Sequence, residues 1–279
     1  MSVMTIREAL RMAQHALAGS ASAHLDADVL LARVLGESRT YLYTWPDRAL
    51  VPSERAVFEA LLARRVLGEP IAYITGQREF WSLPLAVHRH VLIPRPETEL
   101  LVETALSRVQ KSDACVVDLG TGSGAIALAL ASERPEWQLT ATDQSVEALR
   151  LASDNAIRLG ITNVLFRQGS WCEALADHDF DLIVSNPPYI DPQDPHLERG
   201  DLRFEPRAAL VAELQGIADI LRICTQAPAY LRPGAWLMLE HGFEQGEQVR
   251  NELKKQQFTH IETLHDLAGN ERVSIGQRQ

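Results

Sequence analysis

Val116-Val117-Asp118-Leu119-Gly120-Thr121-Gly122-Ser123-Gly124 decides the fold of this chain. An apolar run ends in an acid, glycines follow at every second position, and the purely apolar run Ala125 to Ala131 comes next. A strand that turns sharply into a helix leaves this trace. Glycines permit the turn and let a ligand approach the backbone. The helix start behind them presents free N–H groups. The pattern then repeats. Strands are predicted at 114–119, 137–142, 163–168, 180–185, 235–241, 260–265 and 271–276, and helices at 123–133, 145–159, 216–231 and 244–257. Such alternation gives an α/β, doubly wound, mostly parallel sheet of seven strands with helices on both faces.

Asp143 comes nineteen residues after Gly124, at the end of the second strand, Leu139-Thr140-Ala141-Thr142-Asp143. An acid there can accept both hydroxyls of a ribose, which points to a nucleoside-bearing cofactor. Gly120-x-Gly122-x-x-Ala125 satisfies a relaxed dinucleotide fingerprint. Asp118-x-Gly120-x-Gly122-x-Gly124 also suits S-adenosylmethionine, which has no pyrophosphate; there Asp118 would help hold the ammonium through water. The loop leaves both cofactors open. Trp171, in Gly169-Ser170-Trp171 after the third strand, reads either as a base-packing ring or as a core tryptophan.

The fourth strand ends in Ser185-Asn186-Pro187-Pro188-Tyr189-Ile190. In a doubly wound sheet it lies beside the first strand and faces the cofactor crevice. Pro187 and Pro188 fix their own φ and hold the preceding residues extended. Neither has an N–H. The corner therefore offers oxygen acceptors, the Asn186 side chain and the Pro187 carbonyl. Two rigid acceptors match a planar NH2, either a carboxamide or the exocyclic amine of a base. Tyr189 can pack against that flat group.

Residues 1–70 read as a small helical domain. Ile6, Leu10, Ala13 and Leu17 recur at helical spacing, a second helix spans 26–35 before Gly36, and a third opens at Pro52-Ser53-Glu54 and carries Val57, Phe58, Leu61, Leu62 and Val66. Residues 71–93, with Tyr73, Ile74, Phe80, Trp81, Leu83, Leu85 and Val87, read as a hairpin linker, and 94–279 as the catalytic domain. The 279 residues carry a net charge of −10, unevenly placed. Residues 1–100 hold 11 basic and 11 acidic groups; the rest hold 16 and 26. An acidic catalytic half is a poor match for a nucleic-acid backbone. Three scattered cysteines, no signal pattern and no long apolar run predict a cytoplasmic protein without membrane contact. His88 and His90 lack a third ligand and read as surface residues, so no metal is expected. Glu240-His241 ends a strand and either lines the cleft or caps it. The run from Asp191 to Pro206 is long for a connection and is expected to shape the substrate pocket.

Taken together, Asp118 to Gly124, Asp143, Trp171 and Asn186-Pro187-Pro188-Tyr189 resemble the class I S-adenosylmethionine-dependent methyltransferases of Rossmann-like fold. The segments 68–81, Leu92-Ile93-Pro94-Arg95-Pro96-Glu97-Thr98-Glu99, Asn186 to Asp191 and Arg203-Phe204-Glu205-Pro206 resemble the release factor glutamine methyltransferases, the PrmC/HemK family, over nearly the whole chain. The resemblance implies methylation of the side-chain nitrogen (N5) of the glutamine in the Gly-Gly-Gln motif of class I peptide chain release factors. It implies S-adenosylmethionine bound by Asp118, Gly120, Thr121, Gly122, Ser123, Gly124, Asp143, Trp171 and Asn186. Asn186, Pro187, Pro188 and Tyr189 would hold the glutamine, with Asn186 and Pro187 acting in the reaction and Phe80 and Arg95 lining the pocket. The N-terminal helices would contact the release factor away from the glutamine. A monomer is expected, and the acidic catalytic half predicts no direct nucleic-acid binding. Ser170 departs from the family pattern, in which an acid often precedes the tryptophan. Three rivals remain from the residues alone. An adenine-N6 methyltransferase acting on nucleic acid would use the same Asn-Pro-Pro-Tyr corner. An NAD-dependent oxidoreductase leaves that corner unexplained, and a cofactor-sensing module does not need it.

Overall fold

A computed structural model describes residues 4–176 and 179–279. The chain divides into two units, one formed by Met1–Gln77 with Glu198–Phe204 and the other by Arg78–Leu197 with Glu205–Gln279. The predicted helical segment 1–70 includes residues 1–3, which lie outside the described residues.

The first unit contains helices α1 (Ile6–Ala16), α2 (Ala23–Leu35), α3 (Arg39–Thr44), α4 (Pro52–Val66) and α5 (Ile71–Thr75). Thr5 and Glu8 form a reciprocal cap at the start of α1: Glu8 N donates to Thr5 Oγ1 at 3.3 Å and Thr5 N donates to Glu8 Oε2 at 2.8 Å. Helix α2 stops at Gly36, whose φ of +67° an L side chain would resist. Ile6, Leu30, Leu31, Leu42 and Phe58 close its core without solvent exposure. On α4 the buried face is Phe58 and Leu62, whereas Val57 and Val66 stand half exposed. Arg65 ties this unit internally, meeting Asp26 at 2.8 Å and Asp201 at 3.4 Å.

The hairpin is shorter than the sequence suggests. Its strands are β1 (Gln77–Phe80) and β2 (Leu83–Ala86), and Tyr73 and Ile74 lie in α5 instead. Pro70 at the N-cap and Gly76 at φ +72° bracket those five residues as a single helical turn.

The larger unit carries α6 (Glu99–Arg108), β3 (Cys115–Leu119), α7 (Ala125–Glu133), β4 (Gln138–Asp143), α8 (Val146–Leu159), β5 (Val164–Gln168), β6 (Phe180–Ser185), α9 (Ala218–Gln226), β7 (Leu231–Glu240), α10 (Gly246–Lys255), β8 (Phe258–His265) and β9 (Glu271–Arg278). The sheet order is β5-β4-β3-β6-β7-β9-β8. Strands β3 to β7 pair in parallel, and β9 joins β7 and β8 in antiparallel fashion. This is the seven-stranded, doubly wound fold expected. The chain order reverses between β3 and β6, so their C-terminal ends open a crevice at the switch point. Helix α7 is apolar all round because it is buried all round, from Ala125 through Ala131. The predicted helix 216–231 ends at Gln226 because Pro228 interrupts it, and β7 starts at Leu231 rather than 235, running through Pro233 and Gly234 beside a register shift opposite Phe180 and Leu182.

Candidate functional site

A cavity of about 240 Å³ lies at the switch point. Its lining includes the glycine floor of Gly120 and Gly122, together with Asp143, Ser145, Trp171 and Asn186.

The floor is set by backbone chemistry. Gly120 and Gly122 hold φ of +75° and +57°, which a side chain would strain. A Cβ added at Gly120 would stand 3.1 Å from Cζ3 of Trp171, so the indole lies directly against the bare glycine. Trp171 itself adopts φ +47°, and its Nε1 donates to Asp219 Oδ1 at 3.2 Å. A left-handed non-glycine residue costs about 1–2 kcal/mol. Here it fixes the ring as a flat wall of the cavity.

Asp143 is held from two directions. Gly122 N donates to Oδ2 and Ser145 N to Oδ1, each at 2.9 Å. Burial raises its pKa, and these backbone donors oppose the rise. Each oxygen keeps a lone pair for a further donor. Asp118 is placed differently. It is fully buried beneath the loop, where its Oδ2 accepts from Thr121 Oγ1 at 2.7 Å and from Ala127 N at 3.2 Å, and burial pushes its pKa up to about 7. It ties the glycine loop to the start of α7 and does not line the cavity. Thr121, Ser123 and Gly124 likewise support the loop from below; Ser123 O accepts from buried Asn155 Nδ2 at 2.9 Å.

Asn186 follows β6 directly. Its Nδ2 donates to Thr98 Oγ1 at 3.1 Å, so its Oδ1 is the end left for the cavity. Pro188 lines the cavity beside it, while Pro187 is buried. Tyr189 turns inward: its hydroxyl donates to Glu240 Oε1 at 3.3 Å, and burial pushes its pKa up. Arg95 also stands outside the lining, where its Nη2 donates to Glu205 Oε1 at 2.5 Å and Ile93 N donates to Glu205 Oε2 at 3.0 Å. That pair anchors Pro206, Ala208 and Ala209, which form the cavity wall contributed by the long segment after β6. Phe80 is 1% exposed and packs in the core with Leu85 and Leu101.

The structure therefore brings Gly120, Gly122, Asp143, Trp171, Asn186 and Pro188 together. Pro206 belongs to the run expected to shape the pocket, whereas His90, Val91, Leu92, Gln144, Ser145, Ala208 and Ala209 carry no signal in the sequence that marks them as lining. Thr98, the partner of Asn186, closes the Pro96–Thr98 turn, and nothing in its local sequence points toward Asn186.

The donor set fits an adenosyl cofactor. A carboxylate with spare lone pairs suits vicinal hydroxyls, an indole face suits a base, and a floor without Cβ atoms suits close approach. The PrmC N-terminal domain family matches residues 8–76, and the methyltransferase small domain family matches residues 96–200. The chain is 55% identical over 277 residues to a release factor glutamine methyltransferase of Vibrio cholerae serotype O1, covering 98% of this chain and 97% of that one. It is 53% identical over 262 residues to a release factor glutamine methyltransferase of Aliivibrio fischeri, covering 94% and 92%. A solved methyltransferase from Pyrococcus furiosus shares the fold at TM-score 0.55 and 19% identity, over 77% of this chain and 96% of that one. With that similarity running through both units and a cavity suited to the methyl donor, the chain belongs to the release factor glutamine methyltransferase family, enzymes dependent on S-adenosylmethionine.

Proposed function

We propose that the chain methylates the side-chain nitrogen (N5) of the glutamine in the Gly-Gly-Gln motif of class I peptide chain release factors. The observation that carries this reading is the orientation of Asn186. Its amide nitrogen is spent on Thr98, which leaves an oxygen as the group aimed at a substrate. An oxygen accepts from an NH2.

The chemistry needs such help. An amide nitrogen shares its lone pair with the carbonyl, and the resonance of a peptide bond amounts to a rotation barrier of about 18–20 kcal/mol. Asn186 Oδ1 and the Pro187 carbonyl would grip the two N–H bonds and turn the lone pair toward the methyl group. The same oxygens stabilise positive charge as it grows on nitrogen. Positioning of this kind contributes roughly 7–11 kcal/mol in well-oriented systems. S-adenosylmethionine, when bound, supplies the methyl group as an electrophile. Gly120 and Gly122 would leave room for its amino-acid part, Asp143 would accept its ribose hydroxyls, and Trp171 would cover its adenine, with Ser170 beside it. Once methylated, the nitrogen is strongly acidic and gives up its proton to water without a dedicated base. Asp118, Thr121, Ser123 and Gly124 act on the cofactor through the loop they brace. Tyr189, Pro188, Phe80 and Arg95 shape the surroundings of the glutamine; Arg95 does so through Glu205.

The helical residues 1–70 would dock the factor away from its glutamine, with 71–93 as the linker and 94–279 as the catalytic domain. The enzyme would act in the cytoplasm as a monomer and would not bind nucleic acid directly, in keeping with its acidic second part. No helix among the described residues is long and apolar enough to cross a membrane.

Labelled S-adenosylmethionine offered with a release factor, with the same factor carrying alanine for the glutamine, and with bare DNA or RNA tests the reading. Label on the unaltered factor alone supports it. Label on nucleic acid and none on the factor overturns it in favour of adenine-N6 methylation.

A further inference from the structure

Two buried polar residues, Thr98 and Glu240, lie behind Asn186 and outside the cavity. Strands β6 and β7 run parallel with Ser185 opposite Leu239, so the next residues are Asn186, just past β6, and Glu240, the last of β7. Glu240 is 1% exposed and Thr98 4%. Asn186 Nδ2 donates to Thr98 Oγ1 at 3.1 Å. The Thr98 hydroxyl, having accepted that bond, has one proton to give, and the Glu240 carboxyl borders it. Tyr189 donates to Glu240 Oε1 at 3.3 Å, while Oε2 is buried with no direct partner. A buried oxygen in that state is costly unless a donor turns toward it.

We propose that Glu240 is a positioning residue which, through the Thr98 hydroxyl, decides which end of the Asn186 amide faces the substrate glutamine. The inference rests on the reading that Asn186 accepts from the glutamine NH2. An ionised Glu240 can only accept. Thr98 then gives its proton to Glu240 and must accept from Asn186 Nδ2, which leaves Oδ1 outward. A protonated Glu240 can donate to Thr98 and release the Thr98 proton toward Asn186. The Asn186 amide then gains by turning over, and it meets the glutamine NH2 with an NH2 of its own.

The groups facing Glu240 are Thr98 and Glu97 from the turn before α6, Tyr189 after β6, and Arg272 on β9, which also pairs with Asp266 at 3.2 Å. Burial outweighs Arg272 and lifts the Glu240 pKa to about 7. The active orientation therefore grows as pH rises through neutrality.

The test measures methyl transfer to the release factor across that range for wild type, Glu240→Gln, Thr98→Val and Thr98→Ser. In Glu240→Gln, Tyr189 takes the amide oxygen and the amide nitrogen faces Thr98, which imitates the protonated acid. Glu240→Gln and Thr98→Val are expected to lose kcat by roughly 10²-fold at alkaline pH. Their pH limb near neutrality should vanish, with KM for S-adenosylmethionine little changed. Thr98→Ser keeps the hydroxyl and is expected to recover both rate and limb. In wild type without cofactor, the side-chain NH2 resonances of Asn186 should shift along the same titration, and in Glu240→Gln they should not. Variants that keep the wild-type rate and limb, or that lose rate with the limb intact, overturn the inference. So does a Thr98→Ser enzyme that behaves as Thr98→Val. A wild-type enzyme that leaves the factor unlabelled refutes the substrate reading instead.

Discussion

Replacing Asn186 by alanine removes one oxygen from the grip on the substrate nitrogen and one donor from Thr98. The first loss falls on the transition state, because positive charge builds on the nitrogen only as the methyl arrives. A preorganised partner of developing charge is worth about 2.7–4 kcal/mol, or roughly 10²–10³ in kcat. The second loss falls on the fold and is smaller. The bond to Thr98 at 3.1 Å joins neutral groups, and its removal costs about 0.5–1.5 kcal/mol. Thr98 keeps Glu240 as a neighbour, so the variant should fold. Gly120, Gly122, Asp143 and Trp171 are untouched, so the affinity for S-adenosylmethionine should fall by less than about tenfold. Single-turnover transfer at saturating factor and cofactor gives the rate, and calorimetric titration gives the affinity. A variant that turns over within about threefold of wild type at saturation, or that loses affinity alone, would refute the reasoning.

Three further outcomes follow from the same geometry. Asp143→Asn must turn its NH2 toward either Gly122 N or Ser145 N, both donors at 2.9 Å, and should weaken S-adenosylmethionine binding by about 10–150-fold, measured by calorimetry. Gly120→Ala forces a side chain into φ +75° and to within 3.1 Å of Trp171, so urea unfolding should show a loss of at least about 1–2 kcal/mol. Asp118 and Glu240 are both raised to about 7 by burial from ordinary values of 3.8 and 4.5, so between those limits the folded state holds protons that the unfolded state has lost. Their contribution to stability is complete below the ordinary values and declines as pH rises to about 7, by up to about 1.4 kcal/mol per pH unit for each group. Thermal melts of Asp118→Asn should lose that group's share of the slope.

Much of this site could be read from local sequence because each signal was local. The alternation of strand and helix placed Asp143 and Asn186 at strand ends, and strand ends at a switch point face the crevice. Asp118 was different. Its spacing before the glycines suggests a hold on the ligand through water, and the structure places its carboxylate beneath the loop, bonded to Thr121 and Ala127. Tyr73 and Ile74 read as strand residues because aromatic and branched side chains suit a sheet, but Pro70 and Gly76 close them into one helical turn. From the sequence Tyr189 reads as a substrate wall; its hydroxyl belongs to the interior because the neighbouring strand ends in Glu240. The link from Glu240 through Thr98 to Asn186 joins residues far apart in the chain. Only the pairing of β6 with β7, and the turn that opens α6 above them, brings them together. The Trp171–Asp219 bond has the same character.

The central claim is that Asn186 presents oxygen, and oxygen alone, to a flat side-chain amine. A crystal structure of the enzyme with S-adenosylhomocysteine and a Gly-Gly-Gln peptide measures this directly. The glutamine nitrogen should lie within hydrogen-bonding distance, about 2.7–3.2 Å, of both Asn186 Oδ1 and the Pro187 carbonyl. A glutamine seated elsewhere, or one whose carbonyl meets the Asn186 nitrogen, would contradict the account.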